Sequence, residues 1–430
     1  MPSLLNISQD TSAFPWAKRT PYAGLPAVAT VALALLLGFF TGHESAGAIA
    51  AGAAYSVGFA VFHETLASRL LSMGLLTLGI ASATLAGSLA ADWTLAVLLV
   101  TVIAAINYGL LAGISPTAGW IGQQCAIYVI VASYFPLGVH FAVGRTAMVV
   151  LGGALQMLTY ALTDLFQNRH AQPPAEPLSA RFPARLHELW LKLRNETRLT
   201  GETAIYTLRM AITLLLCTAI YRHFHVRNGY WSPMTALLVL KPQWSATLSR
   251  GIARFIGTLA GAGVALLLAH TLPIDTAVVF AMVVLCAWAC YALQAVNYAL
   301  FSLVTTLYIV FLFRFGGFSQ AHAAHIRLLN TAIGGGIALT IDVVWKLCTR
   351  KLADESGSIH QASHPLVNRR PPEHVGGAAN NRPCNAPEDN RKSAPDILAK
   401  VAKEIIRRGA KNGNTNDRTS SKADSQPAER

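Results

Sequence analysis

The residues of this sequence that could do chemistry are the ionisable and aromatic side chains that interrupt long apolar runs. Asp342 lies in the last such run, and Asp164 holds the corresponding position in an earlier one. A charge at the centre of a membrane helix costs roughly 2.5–3.5 kcal/mol on insertion scales, so it marks a pathway or a partner. A carboxylate there can take up and release a proton, so Asp342, with Asp164, is the expected carrier of a coupling proton. Arg254 lies one turn inside its run, and Arg327 stands at the edge of another. A guanidinium matches the two oxygens of a carboxylate, so these arginines are expected to hold an anionic group. Tyr230, Trp231 and Tyr298 offer stacking faces to an aromatic ring, and Asn297 adds a polar group beside them. Each has a structural alternative: arginines that reach headgroups, aromatics in an interface belt, and Asp342 paired internally with a basic helix end.

Other chemistries lack their residues. There is no nucleophile elbow, no phosphate-cradling loop and no set of spaced metal ligands. Gly334-Gly335-Gly336 lies within an apolar run and reads as close helix packing. The pairs His223/His225 and His322/His325 have no third ligand nearby. The six cysteines form no CxxC pair and no disulfide framework. No catalytic residue, cofactor or metal is therefore expected. The missing nucleotide site argues against ATP-driven transport within this chain.

The elements that must position these residues are apolar runs near 24–41, 46–62, 70–90, 94–112, 118–136 and 142–164, then 204–221, 231–240, 252–272, 275–293, 296–314 and 328–348. A span needs about 20 apolar residues. The run at 231–240 spans only if its flanks, Gly229 to about residue 244, are included. Of 430 residues, 53% are hydrophobic and 13% charged, against about 25% charged in an ordinary soluble domain. That deficit reads as an all-α polytopic membrane protein of about twelve transmembrane helices. The net charge of +13 follows membrane orientation and not nucleic-acid binding, because the basic residues gather between runs and in the tail.

The halves echo each other. Arg69 and Thr77 recur as Arg250 and Thr258 at an offset of 181, and Arg145, Gly152 and Gly153 recur as Arg327, Gly334 and Gly335 at 182. The expected arrangement is two parallel six-helix repeats, 23–166 and 203–352, the first diverged. An N-terminal segment, 1–22, precedes them. A linker, 167–202, joins them, and Phe182, Leu186, Leu189, Trp190 and Leu193 suggest an amphipathic helix there. A tail, 353–430, reads as disordered, with one short helical pattern at 395–408. The basic segments fall on one side if each half has six helices, which places both termini in the cytoplasm. Within the second half, Gly257 and Gly261 lie on one helix face with Arg250, Arg254 and Thr258, and let a neighbour approach closely, as does Gly334.

The run Tyr230-Trp231-x-Pro233, then Lys241-Pro242, then Ser249-Arg250-x-x-x-Arg254-x-x-Gly257-Thr258-x-x-Gly261 resembles the signature of the FUSC family of fusaric-acid-resistance and aromatic-acid exporters. Asn297-Tyr298 and the run from Arg327 through Asn330-Thr331 to Gly334 resemble the family's later motifs. The resemblance covers roughly 203–350 well and 24–166 weakly. It implies an inner-membrane secondary exporter of small organic acids, aromatic acids among them, driven by protons. It also implies a periplasmic adaptor or a homo-oligomer as partner, beside the lipid bilayer. A passive anion channel and a non-transporting membrane scaffold are the rival readings.

Overall fold

The computed structural model describes residues 13–62, 69–136, 138–167, 191, 201–271, 275–316 and 320–362. The expected linker helix and the pattern at 395–408 lie outside the described residues. Twelve α-helices form among those described: α1 (Leu25–Phe40), α2 (Glu44–Gly58), α3 (Arg69–Ala90), α4 (Thr94–Ile114), α5 (Pro116–Ala132), α6 (Gly138–Gln167), α7 (Glu202–His223), α8 (Trp231–Val239), α9 (Trp244–Thr271), α10 (Thr276–Leu293), α11 (Tyr298–Leu312) and α12 (Gln320–Ala362). Each coincides with one of the apolar runs.

Among the described residues, eight helices are long and apolar enough to cross a membrane: α3, α4, α6, α7, α9, α10, α11 and α12. The chain is therefore a multi-pass membrane protein. The remaining four are short, and α8, with 9 residues, is the shortest. The expected extension of that run to about residue 244 does not form. The chain leaves the helix at Leu240 in an extended conformation, φ −65° and ψ 127°. At the other end of the chain, α12 runs to Ala362, past the expected boundary at 352.

Burial sorts the helices into two shells. No large apolar side chain is exposed on α2, α5, α8 or α11 among the described residues. Every other helix exposes at least one, for example Leu36 and Leu37 on α1, Leu99 and Ile103 on α4, Phe255 and Ile256 on α9, and Leu285 on α10. Apolar side chains turned outward are stable only if lipid surrounds them. The four inner helices are thus shielded from lipid by protein, which is where interrupted helices are tolerated.

The helix pairing of one half matches that of the other. The pairs α1–α2, α2–α6, α3–α6, α3–α5 and α4–α5 pack together, and so do α7–α8, α8–α12, α9–α12, α9–α11 and α10–α11. Helix α4 packs on α7, as α10 does on α1. The two main cores follow suit. One joins α1 and α2 to α10 and α11, and the other joins α7 and α8 to α4 and α5. The closest approaches correspond as well. A methyl on Gly152 would overlap the carbonyl of Ala50, and one on Gly334 would overlap that of Ser232. Gly257 and Gly261 press in the same way on α11, at Ala299 and Leu303.

Gly336 has nothing within 4 Å of where its Cβ would stand. Gly334→Ala should therefore lower stability by roughly 1–3 kcal/mol through overpacking. Gly336→Ala should be neutral or stabilising by up to about 1 kcal/mol, because alanine favours a helix. Thermal unfolding of the two variants in detergent checks this ordering.

Candidate functional site

The site is built around α8, and its construction begins with backbone groups. The turn before α8 holds two residues in the left-handed region, His225 (φ 50°) and Asn228 (φ 49°). The Asn228 N–H donates to the Tyr134 hydroxyl at 2.7 Å. Gly229 leaves no room for a side chain, since a Cβ would lie 2.5 Å from that of Tyr221. At the exit, side chains of α7 serve the extended chain. The Tyr206 hydroxyl lies 3.3 Å from the Leu240 carbonyl. Arg209 donates to the carbonyls of Lys241 (3.2 Å) and Pro242 (3.1 Å). The same guanidinium forms a buried ion pair with Asp342 on α12. One arginine thereby ties α7, α12 and the α8–α9 turn together.

A second polar group lies among α8, α9, α11 and α12. Arg327 is 2% exposed, with its guanidinium 4.3 Å from the centre of the Trp231 ring. Its Nε donates to the Thr306 hydroxyl at 3.4 Å, while Nη1 and Nη2 have no partner. Arg254 is equally buried, and its Nε is also without a partner. The two arginines repel each other, and the phenols of Tyr55, Tyr230 and Tyr298 lie within electrostatic reach of Arg327. They converge on adjacent turns of α11. The Ser302 hydroxyl donates to the Arg254 carbonyl, and Thr306 one turn on accepts from Arg327. Among the described side chains, no carboxylate lies against either arginine, since Asp342 is committed to Arg209.

The structure brings Arg254, Arg327, Trp231 and Tyr230 together. Tyr230 packs its ring 4.8 Å from both Tyr134 and Trp231. Tyr298 sits under Arg250, 4.1 Å from ring centre to guanidinium. Asn297 takes a different task from the expected one. Its Oδ1 accepts from the N–H groups of Ala299 and Leu300, and its Nδ2 donates to the Ala13 carbonyl. It is the N-cap of α11, which occupies the polar groups a ligand would need. Asp164 is exposed near the end of α6, whereas Asp342 is buried. Sequence reasoning missed Arg209, Tyr206 and Tyr55. Arg209 had a usable signal, a lone arginine inside the apolar run at 204–221. Tyr55 had none, because it enters through an alanine-rich helix of the other half.

Residues 216–341, which hold most of this site, match the family model described as fusaric acid resistance protein-like. Through this segment the chain is similar to that family. It is 32% identical over 141 residues to an uncharacterized protein of Haemophilus influenzae, covering 33% of this chain and 20% of that protein. It is 29% identical over 167 residues to the inner membrane protein YccS of Escherichia coli, covering 38% of this chain and 23% of YccS. An uncharacterized protein, ORF2, of Neisseria gonorrhoeae is 22% identical over 187 residues, 42% of this chain and 45% of the relative. The chain thus spans about a fifth of the length of the first two relatives. No solved structure matches it.

Two stability predictions follow from the pair and the turn. Asp342→Leu leaves a buried cation without its counter-charge and should lower stability by about 3–5 kcal/mol. Asp342→Asn should lower it less, because the amide oxygen still accepts from Arg209. Unfolding of both variants in detergent tests the order. In the turn, burial and then the nearby Arg250 lower the Lys241 ammonium to about 8. The unfolded chain then binds more protons than the folded one between about pH 8 and the usual lysine value, so wild-type stability rises with pH across that window. Lys241→Met should be the more stable protein at pH 7, with the difference shrinking by pH 10. Melting temperatures across that range check it.

Proposed function

We propose that this chain is an inner-membrane secondary transporter that moves small organic acids, aromatic carboxylates among them, outward in exchange for protons. The observation that carries the reading is the pair of buried guanidiniums, Arg254 and Arg327, with donors left over and Trp231 beside them. A dry cation with free N–H groups calls for an anion, and a carboxylate fits its fork. The family's description names resistance to an organic acid. The YccS name supplies the inner membrane, and the basic segments favour cytoplasmic termini.

In this reading the twelve helices form two parallel six-helix halves, supported by their matching pairs and closest approaches. Short inner helices at the interface of such repeats are where transporters place their sites. Asp342 is the proton carrier. Its protonation removes the counter-charge of Arg209, which otherwise holds α12 and the α8–α9 turn to α7. Substrate movement is thereby linked to release of that tie.

The test is transport by the purified full-length protein in vesicles, with a labelled aromatic carboxylate and an imposed proton gradient. Gradient-driven accumulation is expected. Arg327→Gln should slow it at least about tenfold, the loss of one charged hydrogen-bonded pair. Asp342→Asn should keep substrate exchange and lose the response to the gradient. Flux that ignores the gradient in wild type would replace the carrier with an anion pore. No flux of any such acid, through protein that melts as expected, would remove transport of this class.

A further inference from the structure

The anion site described above has a feature that narrows its occupant, and the inference rests on that reading of the site. Arg254 and Arg327 carry one positive charge each, both are 2% exposed, and each acts on the other. The Nη1 and Nη2 of Arg327 and the Nε of Arg254 are buried without an acceptor. The Tyr298 hydroxyl, within reach of Arg327, is likewise buried without a partner. Asn330 Oδ1 is an unmatched acceptor on this stretch of α12, while its Nδ2 is used by the Ile326 carbonyl. Donors therefore outnumber acceptors, and positive charge is uncompensated by two.

We infer that the site is built for a dianion, a ligand with two separate carboxylates, one for each arginine. The physical reason is charge balance in a medium without water. A monoanion between the two guanidiniums neutralises one and leaves the other as an unpaired buried ion, which is strongly unfavourable. A second carboxylate removes that residual charge and supplies two further acceptor oxygens. The internal pair Arg209–Asp342 is neutral by itself, so it does not alter this count. Trp231 selects for a flat ligand body near the Arg327 end, because its ring already lines that arginine. The second arginine, Arg254, lies on α9 at the level of Ser302 and reads the second charge.

The experiment is calorimetric titration of the purified full-length protein at neutral pH with benzoate and with the three benzenedicarboxylates. At least one dicarboxylate should bind about tenfold or more tighter than benzoate, the effect of compensating one buried charge. Arg254→Gln should bring the two classes to within about twofold while benzoate binding persists, and Arg254→Lys should retain the preference. Benzoate binding as tightly as every dicarboxylate would overturn the two-charge site and leave an anion site standing. A preference that survives Arg254→Gln would overturn the role of that arginine. Failure of both classes to bind protein that unfolds cooperatively would remove the anion site and this inference with it.

Discussion

Backbone polar groups at the two ends of a nine-residue helix must find partners where water is scarce, and much of this structure answers that demand. Helix α8 is too short to cross a bilayer, and its flanks are non-helical. In lipid each unpaired N–H or C=O costs several kcal/mol. The flanks are instead enclosed by protein. Tyr134, just past the end of α5, takes the Asn228 amide, and Tyr206 and Arg209 from α7 serve three successive carbonyls at the exit. Enclosure explains why α8 has no lipid-facing side chain and why α5, α7 and α12 surround it.

The same enclosure makes charge expensive and therefore informative. Arg209 sits in the dry interior because three acceptors meet it: two carbonyls and Asp342. Arg254 and Arg327 are just as buried, yet among the described side chains no carboxylate lies against either, and both Nη atoms of Arg327 lack a partner. In one fold, under one set of solvent conditions, the first arginine is tied to a carboxylate and the other two are buried without one among the described residues. The family match, residues 216–341, takes in Arg254 and Arg327 and stops short of Arg209 and Asp342.

Several features were legible in the residues. The apolar runs mark the twelve described helices, eight of them long and apolar enough to cross a membrane, and Gly257, Gly261 and Gly334 stand at close approaches. Arg254, Arg327 and Trp231 stood out as candidates because polar or aromatic groups at the ends of apolar runs need a reason to be there. Asn297 was misread, since a polar residue beside an apolar run is as well suited to cap the next helix as to meet a ligand. The length of α8 was also misread. Hydropathy cannot distinguish a helix from an extended apolar segment when neighbouring helices satisfy the backbone.

The sequence by itself determined that lipid surrounds this chain, because so little charge is spread over so much apolar length, and it determined where each helix lies. It also carried the internal echo at a spacing of 182 residues, which the packing of Gly152 and Gly334 repeats. Tertiary structure alone decided which helices face lipid and which are enclosed. It decided that Asp342 belongs to Arg209, 133 positions away in the chain, and that Arg254 and Arg327 have no carboxylate against them among the described residues. The physical reason is that pairing depends on distance across helices, and the local pattern of a helix records its own face but not its neighbour's charges.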